Sequence, residues 1–325
     1  MAANSSIEWT QRTWNPVVGC TKVSPGCAHC YAETMANRLK GMAIADKATG
    51  RDPGRKRHYI KVIDSKGRWN GKLAVVPEAL DDPYGWKKPT TVFVNSMSDL
   101  FHESLPFRKI SAIFTVMAQN QQHTFQILTK RADRLLEFYE WNYGGMTRRD
   151  SEEDWLANWS NVWFGVSVER QKEADERIPL LLQVPAAVRF LSCEPLLGPI
   201  RIDHLSLWNE SGFSTPREVY PLIGTMAIPD MDMNCGAINW VIVGGESGPA
   251  ARTCDLNWIR SIVEQCKAAE VPCFVKQLGG NLSDEDLSEC ARASCRSMHD
   301  SKGGDPSEWP ADLRVREMPK LPVHV

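Results

Sequence analysis

The sequence predicts an α/β fold, a partial or complete parallel (β/α) barrel carrying insertions. Three observations lead there. Short apolar runs recur along the chain, and they are nearly continuous rather than alternating, as parallel strands buried on both faces require. Segments with helical spacing separate them, at intervals that suit strand–helix units of roughly thirty or more residues. Polar residues follow every run at once, and a parallel barrel gathers those carboxyl ends on one rim, where such folds build their sites. A doubly wound open sheet is the runner-up, because pattern alone does not show closure.

The expected strands are 91–95 (TVFVN), 124–128 (TFQIL), 162–166 (VWFGV), 188–191 (VRFL), 239–243 (NWVIV) and 273–276 (CFVK). Between them, Phe107, Ile110, Phe114 and Met117 follow helical spacing, as do Leu135, Leu136 and Tyr139. Ala174, Ile178, Leu181 and Leu182 mark a further helix, and Ile259, Ile262, Val263 and Cys266 another behind an Asp255 cap. Residues 41–90, rich in Gly, Pro and charge, read as an insertion with a hairpin of 58–63 against 72–76. Residues 201–237 read as a second, irregular insertion, and the polar tail from 281 is expected to pack outside the main domain. The expected organisation is therefore a main domain over 1–280 and an extension over 281–325.

Hydrophobic residues make up 42% of the 325 and charged residues 24%, ordinary for a globular protein with a sizeable core. Lys plus Arg number 38 against 40 Asp plus Glu, so the net charge of −2 implies no general polyanion-binding surface. No apolar run reaches the length of a membrane span, and the start, MAANSSIEW, lacks a signal-peptide core. A cytoplasmic location without membrane attachment is the expectation.

Polar residues with chemical capacity follow each strand. Ser96, Met97, Ser98 and Asp99 come after the first, Thr129 and Lys130 after the second, Ser167 and Glu169 after the third. Ser192, Cys193 and Glu194 come next, then Gly244, Gly245, Glu246 and Ser247, then Lys276 and Gln277. Any one of these suits a helix cap or a turn. Six strands ending alike favour an enzyme. Lys130, Glu194, Glu246 and Lys276 sit beside buried strands and should be paired or face a polar cavity.

Ten cysteines in such a chain read as metal ligands, redox groups or buried apolar residues. Seven are scattered: Cys193, Cys235, Cys254, Cys266, Cys273, Cys290 and Cys295. Cys20, Cys27 and Cys30 are clustered as C-x6-C-x2-C, with Pro25 and Gly26 letting the longer loop fold back and a helix starting at Tyr31. Thiolates suit zinc and iron–sulfur clusters. A structural zinc site wants a fourth protein ligand, and His29 lies awkwardly between two of the three. A four-iron cluster held by three cysteines leaves one iron open for a bound ligand.

At these residues the sequence resembles the radical S-adenosylmethionine superfamily. The segments TWNPVVGCTKVSPGCAHCYAE, VFVNSMSDLFHE, QILTKRADRL, GVSVE, CEPLLGPI and VIVGGESGPAAR, in order over most of residues 8–280, resemble more closely a phage- and bacteria-associated three-cysteine family of unknown function. That family is sometimes placed near spore photoproduct lyase. The commonest superfamily spacing is C-x3-C-x2-C, and this loop is three residues longer. The resemblance implies a barrel of the radical S-adenosylmethionine type with a [4Fe-4S] cluster on Cys20, Cys27 and Cys30 and His29 packed beside it. It implies S-adenosylmethionine on the open iron, cleaved by a cluster electron to a 5′-deoxyadenosyl radical that abstracts a substrate hydrogen. Ser96, Ser98 and Asp99 become candidates for the cofactor's amine, and Lys130, Ser167 and Glu169 for its carboxylate and ribose. Cys193, Glu194, Glu246 and Lys276 are the catalytic candidates; Cys193 would donate a hydrogen atom, or else is a small buried apolar residue.

Two readings of function follow. The first is a radical enzyme acting on a nucleic acid or nucleotide, served by an electron donor such as flavodoxin or ferredoxin. Its support beyond the resemblance is the stretch 51–72, where eight Lys and Arg stand among Tyr59 and Trp69 against Asp52 and Asp64. A solvated hairpin explains the same charges. The second is a zinc- or cluster-stabilised nucleic-acid-binding protein without radical activity; a radical enzyme for a small metabolite or a protein side chain stays open beside them.

Overall fold

The structure, a computed structural model, describes residues 5–143, 148–207, 217–228, 231–234, 236–283 and 299–319. Seven strands form one parallel sheet: β1 (Arg12–Trp14), β2 (Thr91–Val94), β3 (Thr124–Thr129), β4 (Val162–Ser167), β5 (Arg189–Cys193), β6 (Trp240–Gly244) and β7 (Cys273–Gln277). Their order in the sheet is their order in the chain. A doubly wound sheet reverses direction at a switch point, so this sequential order belongs to a singly wound, partial parallel barrel. Among the described residues β1 and β7 do not pair.

All six strands expected from the sequence are present, and the burial of β4 and β6 at every residue is the reason their sequences do not alternate. The main helices are α1 (Tyr31–Ala48), α2 (Phe107–Ala118), α3 (Ala132–Tyr143), α4 (Arg148–Trp159), α5 (Gln171–Leu181) and α6 (Leu256–Ala268). Asp255 caps α6 as expected, its carboxylate accepting from Asn257 N at 2.8 Å. β1 and α4 carry no clear sequence signal. β1 is three residues long with two of them polar, and the charged run of α4 hides Trp155, which is fully buried.

By contact density the chain divides into two compact units, residues 1–163 and 164–325. In the first, Phe114, Phe138 and Trp155 form an aromatic core with ring centroids 4.9–6.2 Å apart. In the second, Trp240 packs between Phe190 and Phe274 at 5.7 and 6.2 Å. Residues 299–319 also belong to this unit. Trp309 and Leu313 are buried, and Val275 N and Glu317 N bond to Val315 O and Cys273 O, covering the free edge of β7. Residues 284–298 and 320–325 lie outside the described residues.

Two expectations about the insertions are corrected. The hairpin of 58–63 with 72–76 does not form. Gly54–His58 is a 3-10 turn and Tyr59–Val62 a short helix, because Tyr59 and Val62, three apart, are the buried pair. Ala74–Val75 pairs instead with Val17–Val18. Residues 201–237, expected to be irregular, contain an antiparallel sheet of Leu205–Leu207, Arg217–Tyr220, Thr225–Ile228 and Met231–Asn234. Its strands are too short to set up a periodic pattern. Among the described residues no helix is long and apolar enough to cross a membrane.

Candidate metal centre and the polar strand ends

The cysteine loop leaves the carboxyl end of β1 and is pinned at once to the loop after β2. Trp14 is buried and its indole donates to Ala79 O at 2.7 Å. Asn15 Oδ1 accepts from Ser96 Oγ at 3.2 Å and Met97 N at 3.0 Å. Gly19 N donates to Met97 O at 3.2 Å, and Ser98 Oγ to Gly19 O at 2.6 Å. Gly19 has φ +100°, and a Cβ there would stand 2.3 Å from Lys72 O. Only glycine allows the chain to turn toward Cys20 at this point.

Pro25–Cys27 then forms a single 3-10 turn, and Cys30 is the N-cap residue of α1. Lys22 ties the loop across, with Nζ 2.8 Å from Glu33 and 3.2 Å from Ala28 O. Tyr31, next to Cys30, donates its hydroxyl to Ser96 O at 2.9 Å. The loop therefore brings Cys20, Cys27 and Cys30 to the same strand-end segment that carries Ser96, Ser98 and Asp99.

None of the three cysteines is in a disulfide; Cys27 is buried and the other two are half-buried. Burial pushes the Cys20 thiol up to about 12, helped by the Asp99 carboxylate and the Cys30 and Cys27 sulfurs and opposed by the Arg131 guanidinium. Burial also raises Cys30; the amides of Glu33 and Ala32 at the helix start oppose it, while Cys27 adds to it. Each sulfur thus lies within electrostatic range of another. Among the described residues no three His, Cys, Asp or Glu side chains are grouped as a single metal ion requires. One tetrahedral ion needs its ligands at one point, whereas a cluster takes each thiolate on a separate iron and tolerates wider spacing. As donors, three reduced thiols are of the chemistry that an iron–sulfur cluster takes.

Asp99 is 6% exposed and its carboxylate is fully committed. Oδ1 accepts from Thr129 Oγ1 at 2.7 Å and Phe101 N at 3.0 Å; Oδ2 accepts from Lys130 N at 3.1 Å and Arg131 Nη1 at 3.0 Å. Arg131, absent from the sequence-derived candidates, is the centre of this group. Its Nε donates to Glu103 at 2.8 Å and its Nη2 to Thr21 Oγ1 at 2.6 Å and Thr21 O at 3.3 Å. Thr21 Oγ1 also lies 3.0 Å from His102 Nε2. The only sequence signal for Arg131 was a charged residue two places past a buried strand. His29 is exposed, and Lys130 is half-buried at the end of β3.

The remaining candidates belong to the second unit. Glu194 and Lys276, at the ends of β5 and β7, form an ion pair of 2.5 Å. Glu246 is buried and gripped by Arg252, whose Nε and Nη2 donate at 2.9 and 2.6 Å. Glu169 is fully buried and receives Arg177 Nη1 at 3.0 Å, while Arg177 also donates to Ser167 O at 2.7 Å. Cys193 is fully buried, and burial raises its thiol strongly. The expectation that charged groups beside these strands are paired holds for Glu194, Glu246 and Lys276.

Within the basic stretch 51–72, Arg55, Lys56 and Arg57 are paired with acidic side chains of the chain itself. Arg55 pairs with Asp82 at 2.6 Å, Lys56 with Asp46, Arg57 with Glu78, and His58 with Glu78 at 3.2 Å. Its acidic partners at 78 and 82 lie beyond the stretch itself, so the local charge count overstated the field.

Fold and site together define an α/β protein with a partial parallel barrel and a thiol-bearing loop at the end of its first strand. A family model described as "Protein of unknown function (DUF5131)" matches residues 4–307, and the chain belongs to that family. Comparison with curated proteins and with solved structures gives no match.

Proposed function

We propose that the protein is a radical S-adenosylmethionine enzyme whose cluster is held by Cys20, Cys27 and Cys30. The observation that carries this reading is the pinning of the three-thiol loop to the Ser96–Asp99 segment at the ends of a partial parallel barrel. A [4Fe-4S] cluster bound there would supply the electron that cleaves S-adenosylmethionine to the 5′-deoxyadenosyl radical.

The chain's own residues have definite parts in this proposal. Asn15 and Gly19 fix the Ser96 and Ser98 hydroxyl groups, whose oxygens keep acceptor capacity for a cofactor ammonium group. Asp99 acts as a positioning residue, since all its near partners are protein donors. The Glu194–Lys276 pair, half-buried at two strand ends, is the acid–base candidate in the second unit. Cys193 serves as a buried strand residue rather than a hydrogen donor. The proposal stops at the reaction class, because the charges of Arg55, Lys56 and Arg57 are already answered by Asp82, Asp46 and Glu78.

The test is chemical. Protein prepared and reconstituted without oxygen, then reduced with dithionite in the presence of S-adenosylmethionine, is expected to yield 5′-deoxyadenosine by chromatography. Absence of that product from cluster-loaded protein would overturn the proposal and leave the non-radical, cluster-stabilised reading.

A further inference from the structure

Arg131 is 7% exposed, yet it reaches three residues on two other segments. One edge of its guanidinium meets Asp99, which is itself buried; another meets Glu103; the third meets both the hydroxyl and the carbonyl of Thr21. Thr21 is the residue directly after Cys20. Its backbone is held at the carbonyl by Arg131, and Gly19 on the other side is held by Met97 O and Ser98 Oγ. Cys20 is thus clamped from both flanks.

The clamp is also a charge. The Arg131 guanidinium donates to both the carbonyl and the hydroxyl of Thr21, which places its charge one residue from Cys20. An arginine suits both tasks, because its planar fork can hold several acceptors while its charge is permanent.

We propose that Arg131 is a positioning residue that locks the Cys20 loop to the ends of β2 and β3 and holds a fixed positive charge beside the Cys20 sulfur. The second part rests on the reading of Cys20, Cys27 and Cys30 as cluster ligands; the first part does not. Net charge and hydrogen bonding near the sulfurs set a cluster's reduction potential. Removing Arg131's charge therefore lowers that potential. A lysine at this position keeps the charge but not the fork.

Two measurements on the full chain separate the parts. In metal-free protein, hydrogen exchange of the peptide covering residues 17–22 is expected to quicken about tenfold or more in Arg131→Gln and in Arg131→Lys, as charge-assisted hydrogen bonds are lost. In cluster-loaded protein, the potential is expected to fall in Arg131→Gln and to stay at the wild-type value in Arg131→Lys. Unchanged exchange in Arg131→Gln overturns the lock. An unchanged potential in Arg131→Gln, or an equal fall in Arg131→Lys, overturns the charge role. Should Arg131→Gln fail to fold, Thr21→Val, which removes only the loop-side hydroxyl, is expected to quicken the same peptide, and unchanged exchange there overturns the lock. A wild-type chain that takes up no cluster ends the parent reading and the charge role with it, while the lock is still judged by exchange.

Discussion

Gly19→Ala is the sharpest structural perturbation of the cysteine loop. The backbone at this residue has φ +100°, a conformation that costs a residue with a side chain about 1–3 kcal/mol. Strain is only part of the effect. The new methyl would stand 2.3 Å from the Lys72 carbonyl oxygen and 3.0 Å from Val62 Cγ1, so the Lys72 backbone has to move. That movement opens the short ladder of Val17–Val18 with Ala74–Val75 and loosens the bond from Gly19 N to Met97 O. A total loss of about 2–4 kcal/mol is expected, within the marginal stability of about 5–15 kcal/mol of a folded domain, so the chain stays folded. Urea denaturation followed by circular dichroism reads the stability, and hydrogen exchange reads the loop. Gly41→Ala is the control: it lies in α1 with nothing within 4 Å of the added methyl, and should stabilise by up to about 1 kcal/mol. If Gly19→Ala shifts stability by less than about 0.5 kcal/mol and leaves exchange of 17–22 unchanged, the tight passage at Gly19 is wrong.

Replacing Cys20, Cys27 or Cys30 singly by Ala should abolish most iron retention measured after anaerobic reconstitution, while Cys254→Ala, at a buried site in the second unit, should retain it. Trp155→Ala, which empties a fully buried aromatic position, should cost about 3–5 kcal/mol in urea unfolding. Asp255→Ala removes the bond to Asn257 N and should cost about 1 kcal/mol in the same assay. Burial lowers the pKa of His123, whose ring lies among Trp86 and Phe125. The unfolded chain then binds the proton more readily, so this contribution is complete above the ordinary histidine pKa of about 6.5 and is lost as pH falls below it. His123→Phe should flatten the fall in urea midpoint between about pH 7 and pH 5, and an unchanged slope would count against the assignment.

The central sheet was legible because its strands are buried on both faces and leave unbroken apolar runs, as 162–166 and 239–243 show. Amphipathic α2 and α6 were legible for the matching reason, each showing an apolar stripe to one layer. Pattern failed where burial was partial or elements were short. Tyr59 and Val62 bury a single helical turn that a six-residue strand window swallowed, and the 205–234 strands span three or four residues each. In the site, the cysteines announced themselves by spacing. Arg131 did not, because its significance lies in Thr21, Asp99 and Glu103, which are distant in sequence and meet only in the fold. The pairing of Arg55 and Arg57 was hidden for the same reason, because their partners Asp82 and Glu78 lie outside the stretch 51–72.

Metal and sulfide analysis of wild-type protein purified without oxygen decides whether Cys20, Cys27 and Cys30 hold a cluster. About four iron and four sulfide per chain are expected after reconstitution, lost together on replacing any one of Cys20, Cys27 and Cys30. Zinc alone, or iron retained when these cysteines are replaced, would contradict it.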